Sequence, residues 1–192
     1  MTIVIDLDGV VYDTIRTIVN LYNYDHLYYK DFEPVLASNV KTWDFDELNL
    51  EPREYIDKYF NMPRFFAEVK LMIGAKWIID KLHYMGFKIV FCSSGSFPNL
   101  QLKREWINKH FEYADFIPVD LERFKDKASV NMRNCWFIDD VSKNLETSNA
   151  KHKICFGEVY PWNEDWKGIR CKNWIEIYEY IRKEVDNIEG TI

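Results

Sequence analysis

Asp6-Leu7-Asp8-Gly9-Val10-Val11-Tyr12-Asp13 is the segment of this chain best suited to chemistry. Two acids one residue apart, ending an apolar run and followed by glycine, can bring both carboxylates to one reacting phosphorus. Asp6 could attack it, since an aspartate held by a metal is a competent covalent nucleophile. Asp8 could protonate the leaving oxygen and later take a proton from water. Gly9 lets the backbone turn sharply and come close to a ligand. The competing reading is a turn with solvated acids, because acids at strand ends are also common in loops.

A second acidic pair, Asp139-Asp140, closes the apolar run Cys135-Trp136-Phe137-Ile138. Mg²⁺ takes hard oxygen ligands, few of them from protein, and Asp139 with Asp6 would meet that need. Taken alone, Asp140 or Ser142 could instead cap the following helix. Ser93 follows a third apolar run, and its hydroxyl and neighbouring amides could hold a phosphate oxygen. A turn or capping serine is an equal reading of Ser93 in isolation. Lys125 and Lys127 precede the fourth run, and either ammonium could offset the charge of a transferring phosphoryl group. A solvated surface lysine is the alternative for each.

The elements that must position these residues follow from the apolar pattern. Ile3–Ile5, Phe87–Cys92, Phe116–Val119, Cys135–Ile138 and Lys153–Phe156 read as buried strands. Helical patterns separate them. Ile78, Leu82 and Met85 share a face that Gly86 would end. A second helix is expected at about 99–110 after Pro98, and a third from Asp140 to about Ala150. Trp174, Ile177, Tyr178, Ile181 and Val185 form a C-terminal stripe that would cover one sheet face. Alternating strands and helices predict an α/β fold with a parallel sheet covered on both sides. Ligands in such folds bind beyond the carboxyl ends of the strands, where the polar clusters lie. Residues 15–70 break the rhythm. They hold Pro34, Pro52 and Pro63, have no clear strand, and read as a mainly helical insertion rich in aromatic rings.

Bulk properties agree with one core plus a modest insertion. The chain has 192 residues, is 47% hydrophobic and carries a net charge of −6, so duplex nucleic acid is not an expected partner. The four cysteines form no zinc or disulfide framework. Cys92, Cys135 and Cys155 sit in apolar runs and read as core residues. No stretch reaches the roughly 18 apolar residues of a membrane helix. A cleaved leader would remove Asp6 together with the first strand, so a cytoplasmic location is expected.

The order of these signals resembles the haloacid dehalogenase (HAD) superfamily of phosphatases. Its motifs are D-x-D-G after an apolar strand, here Ile3 to Gly9, then Ser93, a lysine, and the pair Asp139-Asp140. An insertion directly after the first motif is similar to the superfamily's C1 cap. The likeness implies a Rossmannoid three-layer core of residues 1–14 and 71–192 with a helical cap at 15–70. Within the superfamily the chain most resembles the 5′(3′)-deoxyribonucleotidases. That likeness rests on D-x-D-G-V-x-x-D, Arg64-Phe65-Phe66 leading to Ile73-Gly74-Ala75, Phe91-Cys92-Ser93-Ser94, Asp126-Lys127 and Phe137-Ile138-Asp139-Asp140.

The resemblance implies Asp6 as nucleophile and Asp8 as general acid and base. Asp6, the Asp8 carbonyl and Asp139 would hold Mg²⁺ with Asp140 in support. Ser93, Ser94, Gly9 and Lys127 would lie around the phosphate of a deoxyribonucleoside monophosphate. The long spacing from Lys127 to Asp139 keeps Lys125 as a rival, and Gly95 stands where the animal enzymes have proline. Among the cap aromatics, Trp43, Phe45 and Phe66 are candidates to stack on a base, against the plainer reading that each ring packs the cap. A homodimer is compatible with this reading. Two other functions remain: a phosphatase for a sugar phosphate or similar small ester, and a receiver-like signalling module that accepts a phosphoryl group. Asp8 and the long insertion argue against the receiver, which needs a lasting phosphoryl group and not a general acid.

Overall fold

A computed structural model describes residues 1–189. The strands are β1 (Thr2–Ile5), β2 (Lys88–Gly95), β3 (Asp115–Asp120), β4 (Cys135–Asp139), β5 (His152–Phe156) and β6 (Ile169–Cys171). They form one sheet in the order β3-β2-β1-β4-β5-β6, with every neighbouring pair parallel. Side chains divide by alternation. Ile3, Ile5, Ile89, Phe91, Trp136, Ile138, Ile154 and Phe156 enter one apolar cluster. Val4, Val90, Cys92, Phe137 and Cys155 enter a second. Strands apolar in both phases suit a sheet covered on both faces.

The five apolar runs are strands, as expected from the sequence, but Phe116–Val119 is not a buried one: β3 lies at the sheet edge and only its Val119 is buried. The sixth strand was not anticipated, because Ile169-Arg170-Cys171 is short and interrupted by a charge. Cys92, Cys155 and Cys171 are buried, but Cys135, the first residue of β4, is only half-buried.

The helices are α1 (Thr14–His26), α2 (Arg53–Phe60), α3 (Pro63–Glu68), α4 (Ala75–Tyr84), α5 (Phe97–His110), α6 (Ser142–Thr147) and α7 (Trp174–Glu189). In α4, Ile78 and Leu82 are buried as the stripe predicts. Met85 departs from it: it lies past the helix end and is 43% exposed. Gly86, at φ +90, turns the chain towards β2. α5 starts two residues earlier than expected, because Pro98 occupies the first turn, where its missing N–H costs nothing. α6 stops short of Ala150. Ser148 is extended there, and its hydroxyl donates to the Leu145 carbonyl at 2.9 Å. Trp174, Ile177 and Ile181 of α7 are buried in the first cluster.

Between residues 15 and 70 lie α1, a 3₁₀ turn at Ala37–Asn39, α2 and α3, with no strand. The Asp13 carboxylate caps α1 by accepting from the Arg16 N–H at 3.1 Å. Leu48, Ile56, Tyr59 and Phe65 join the same cluster as Ile3 and Ile5, so one apolar core continues from the sheet into this segment. Among the described residues, no helix is long and apolar enough to cross a membrane.

Candidate active site

The parallel register brings together the residues that the sequence singles out. Ile5 pairs with Phe91 on one side and Ile138 on the other, so Asp6, Cys92 and Asp139 come level, with Ser93 one step beyond. The Asp6 N–H donates to the Ile138 carbonyl at 2.9 Å and carries the ladder one residue past β1. A slip of one residue would turn Asp6 and Asp139 to opposite faces.

After Asp6 the chain doubles back, with the amides of Val10, Val11 and Tyr12 all donating to the Leu7 carbonyl. Gly9 has φ +70, and a Cβ there would lie 2.8 Å from Asp140 Oδ2. The turn therefore needs glycine both for its backbone angle and for the carboxylate beside it. It swings Asp8 across the strand ends. Asp8 Oδ1 accepts from the Thr14 hydroxyl at 3.0 Å, and Oδ2 accepts from the Ser93 hydroxyl at 3.2 Å and from the Lys103 ammonium.

Lys127 lies between two carboxylates, with Nζ 2.7 Å from Asp6 Oδ1 and 2.6 Å from Asp139 Oδ2. It is buried, whereas Lys125 is exposed. The geometry thus separates the two lysines that the sequence left as rivals. Asp139 also accepts from the Val141 N–H at 2.9 Å and from the Asn144 amide at 3.2 Å.

Electrostatics at this cluster are short of positive charge. Burial pushes the Asp6 carboxyl up to about 6 against the pull of Lys127, with Asp139 and Asp8 adding to the rise. Burial, then Asp139 and Asp6, hold the Asp140 carboxyl well above the usual carboxylate range. Burial opposes the charge on Lys127, but Asp139 and Asp6 outweigh it and raise the ammonium above its ordinary value. Asp6, Asp139 and Asp140 each present an oxygen within 4.8 Å of the others, and all three are buried. Three hard oxygen donors facing a single ammonium fit a divalent cation such as Mg²⁺.

A cleft of about 610 Å³ opens over this floor. Asp6, Asp8, Ser93, Ser94, Lys127 and Asp140 line its base, and Trp43, Arg53 and Phe60 line the wall supplied by the helical segment. Of the three rings singled out for stacking, Trp43 reaches the cleft. Phe45 and Phe66 do not. Phe45 is 1% exposed and sits edge-on to Trp43 and Phe60. Phe66 packs against Tyr12 and Phe65. Both rings are engaged in the apolar core that the segment shares with the sheet.

Several site residues escaped the sequence reading. Lys103 of α5 is buried, and its Nζ donates to Ser93 Oγ at 2.8 Å and to the Ser94 carbonyl at 2.9 Å as well as to Asp8. A signal for it existed: Asn99, Leu100, Lys103, Trp106 and Ile107 form one buried helical stripe, and a lysine in such a stripe requires a partner. Trp162 and Asn163 also touch the site, donating to Asp140 Oδ2 and to the Asp140 carbonyl, each at 3.0 Å. The segment Tyr160-Pro161-Trp162-Asn163 stands out in the sequence but has no role assigned there, because nothing local to it announces those contacts.

The site lies in a chain whose residues 1–185 match the family described as 5′ nucleotidase, deoxy (pyrimidine), cytosolic type C protein (NT5C). No curated protein matches the sequence. Solved structures share the fold. A predicted phosphatase from Clostridium acetobutylicum aligns with TM-score 0.66 at 16% identity, over 95% of this chain and 98% of that one. A HAD family hydrolase from Deinococcus radiodurans R1, with bound phosphate and sodium, aligns at 0.64 and 13% identity, over 95% of each chain. The HAD-hydrolase YfnB from Bacillus subtilis, bound to magnesium, aligns at 0.58 and 14%, over 93% of this chain and 97% of its own. At such identities the likeness is one of fold: a HAD-like α/β architecture.

Proposed function

The chain belongs to the cytosolic type C 5′ nucleotidase family and is a phosphomonoester hydrolase, and from that premise we propose that it is a Mg²⁺-dependent 5′(3′)-deoxyribonucleotidase of the cytosol. The substrate is a deoxyribonucleoside monophosphate, split to deoxynucleoside and phosphate through an aspartyl phosphate on Asp6. One observation carries this reading: Asp6, Asp8, Ser93 and Lys127 converge at the base of a single cleft with an acidic cluster beside them.

The roles follow from position. The Ser93 hydroxyl and the Lys127 ammonium hold phosphate oxygens, and Lys127 also fixes the Asp6 carboxylate. Asp6 attacks phosphorus in line with the leaving oxygen. Asp8 protonates that oxygen as the P–O bond breaks, and then takes a proton from the water that hydrolyses the acyl phosphate. Asp6, the Asp8 carbonyl, Asp139 and Asp140 are the groups that would hold Mg²⁺, whose charge would offset that of the phosphoryl group. Positioning and charge neutralisation supply most of the rate in such transfers.

Residues 15–70 act as a cap over the phosphate site, with Trp43 as the ring a base would meet. The size of the cleft supports a nucleotide over a smaller ester, and so does the family description.

The test is phosphate release from deoxy- and ribonucleoside monophosphates and sugar phosphates, with Mg²⁺ and then with EDTA. Metal-dependent release favouring deoxynucleotides is expected. Release from sugar phosphates alone would keep the chemistry and discard the substrate.

A further inference from the structure

The segment Tyr160-Pro161-Trp162-Asn163 plays no part in the chemistry just described, yet it grips the acidic pair at the end of β4. Asn163 is fully buried, and its side-chain amide donates to the Asp140 carbonyl at 3.0 Å and to the Glu158 carbonyl at 3.2 Å. The Trp162 carbonyl accepts from both the N–H and the hydroxyl of Ser142, each at 3.2 Å. Arg170 secures the turn from outside, donating to the Asn163 carbonyl at 2.7 Å and to its side-chain oxygen at 3.1 Å. The turn is thus tied to the residues on either side of the β4–α6 junction.

Trp162 adds a directed contact. Its indole N–H donates to Asp140 Oδ2 at 3.0 Å. Its ring is fixed on both sides: Tyr160 stacks on it at 4.5 Å with the planes 2° apart, and Trp43 lies 5.5 Å away. A carboxylate has further lone pairs, so a donor on Oδ2 leaves Asp140 able to accept elsewhere. Asp140 Oδ2 sits over Gly9 in space that a Cβ would fill, since an added carbon would come within 2.8 Å of it.

We propose that Trp162 is a positioning residue for the metal site: its indole N–H sets the Asp140 carboxylate in the orientation that receives Mg²⁺. This rests on the metal reading given above. Outer partners of this kind orient ligands and account for a substantial part of metal affinity. Trp162 touches neither the phosphate floor nor Asp6, so its effect is transmitted through Asp140.

The test is a calorimetric Mg²⁺ titration of wild-type protein and of Trp162→Phe, without substrate. Trp162 is only half-buried, so the variant keeps its fold, as thermal melting in EDTA would verify. Phenylalanine retains a ring against Tyr160 and loses the N–H, and the Mg²⁺ dissociation constant is expected to rise about ten-fold or more. In the wild type, the Trp162 indole N–H resonance, assigned by its loss in the variant, should move as Mg²⁺ is added. Equal affinity in the two proteins, or an indole resonance unmoved at saturating Mg²⁺, would overturn this role and leave the metal reading standing. Failure of the wild type to bind Mg²⁺ at all would remove the metal reading and this inference with it.

Discussion

Lys103 and Asp8 form an ion pair in which the ammonium is 1% exposed and the carboxylate 17%, joined across 95 residues of sequence. The same ammonium bonds Ser93. One lysine therefore fixes both the group that would transfer the proton and the hydroxyl that would hold the phosphate. A second buried lysine, Lys127, does the same for Asp6 and Asp139. Each of the two lysines thus anchors a pair of site groups, Asp8 with Ser93 and Asp6 with Asp139.

Replacing Lys103 by methionine keeps the length of the side chain and removes the donor. Asp8 retains Thr14 and Ser93, so the fold should survive while Asp8 and Ser93 lose their common anchor. Misplacement on that scale lowers kcat by about 10²-fold. Lys103→Arg should recover part of the loss. A methionine variant with wild-type kcat would mean that Asp8 is held adequately without the lysine.

Lys127→Met leaves Asp6 and Asp139 buried without their shared cation. Breaking such a pair costs about 3–5 kcal/mol, to be read from urea unfolding in EDTA. Lys125→Met should change stability by less than about 0.5 kcal/mol, as expected for an exposed site. Equal effects from the two substitutions would contradict the placement of Lys127 between the acids.

Asp6→Asn removes the nucleophile and keeps the shape. Turnover should fall by at least ~10³-fold with an unchanged circular dichroism spectrum. Appreciable turnover in a folded variant would take Asp6 out of its proposed role.

Trp43 and Phe45 touch each other but should behave differently. Trp43→Ala removes a ring that faces the cleft. Stacking is worth about 1–3 kcal/mol per base, so KM for a nucleotide should rise roughly 5- to 150-fold. KM for a sugar phosphate without a base should stay put. Phe45→Ala empties a core position and should cost about 3–5 kcal/mol of stability.

His152 stacks on Trp136 at 4.1 Å, and burial, followed by the charge of Lys151, lowers its pKa from the ordinary 6.5. Below pH 6.5 the unfolded chain takes up a proton that the folded chain resists, so this site destabilises the fold as pH falls. The raised Asp6 and Asp140 carboxyls act in the opposite sense, favouring the fold as pH falls. The His152 contribution is therefore read by difference: from neutral towards acid pH in EDTA the thermal midpoint of His152→Gln should fall less, or rise more, than that of the wild type. An identical slope in the variant would assign the acid sensitivity to other groups.

The sequence by itself determined five of the six strands and the nature of the chemistry. Apolar runs ending in Asp6, Ser93 and Asp139 specify parallel strands that deliver polar residues to one edge, because strand polarity and the two-residue period are local properties of the chain. Gly9 was legible for the same reason, as its demand on the backbone is local. Tertiary structure alone decided which of Lys125 and Lys127 is buried, which of Trp43, Phe45 and Phe66 meets the cleft, and that Lys103 and Trp162 belong to the site. Those outcomes depend on how helices and loops distant in sequence close over the sheet. A lysine or a ring has the same local pattern whether it ends in solvent, in the core, or against a buried carboxylate.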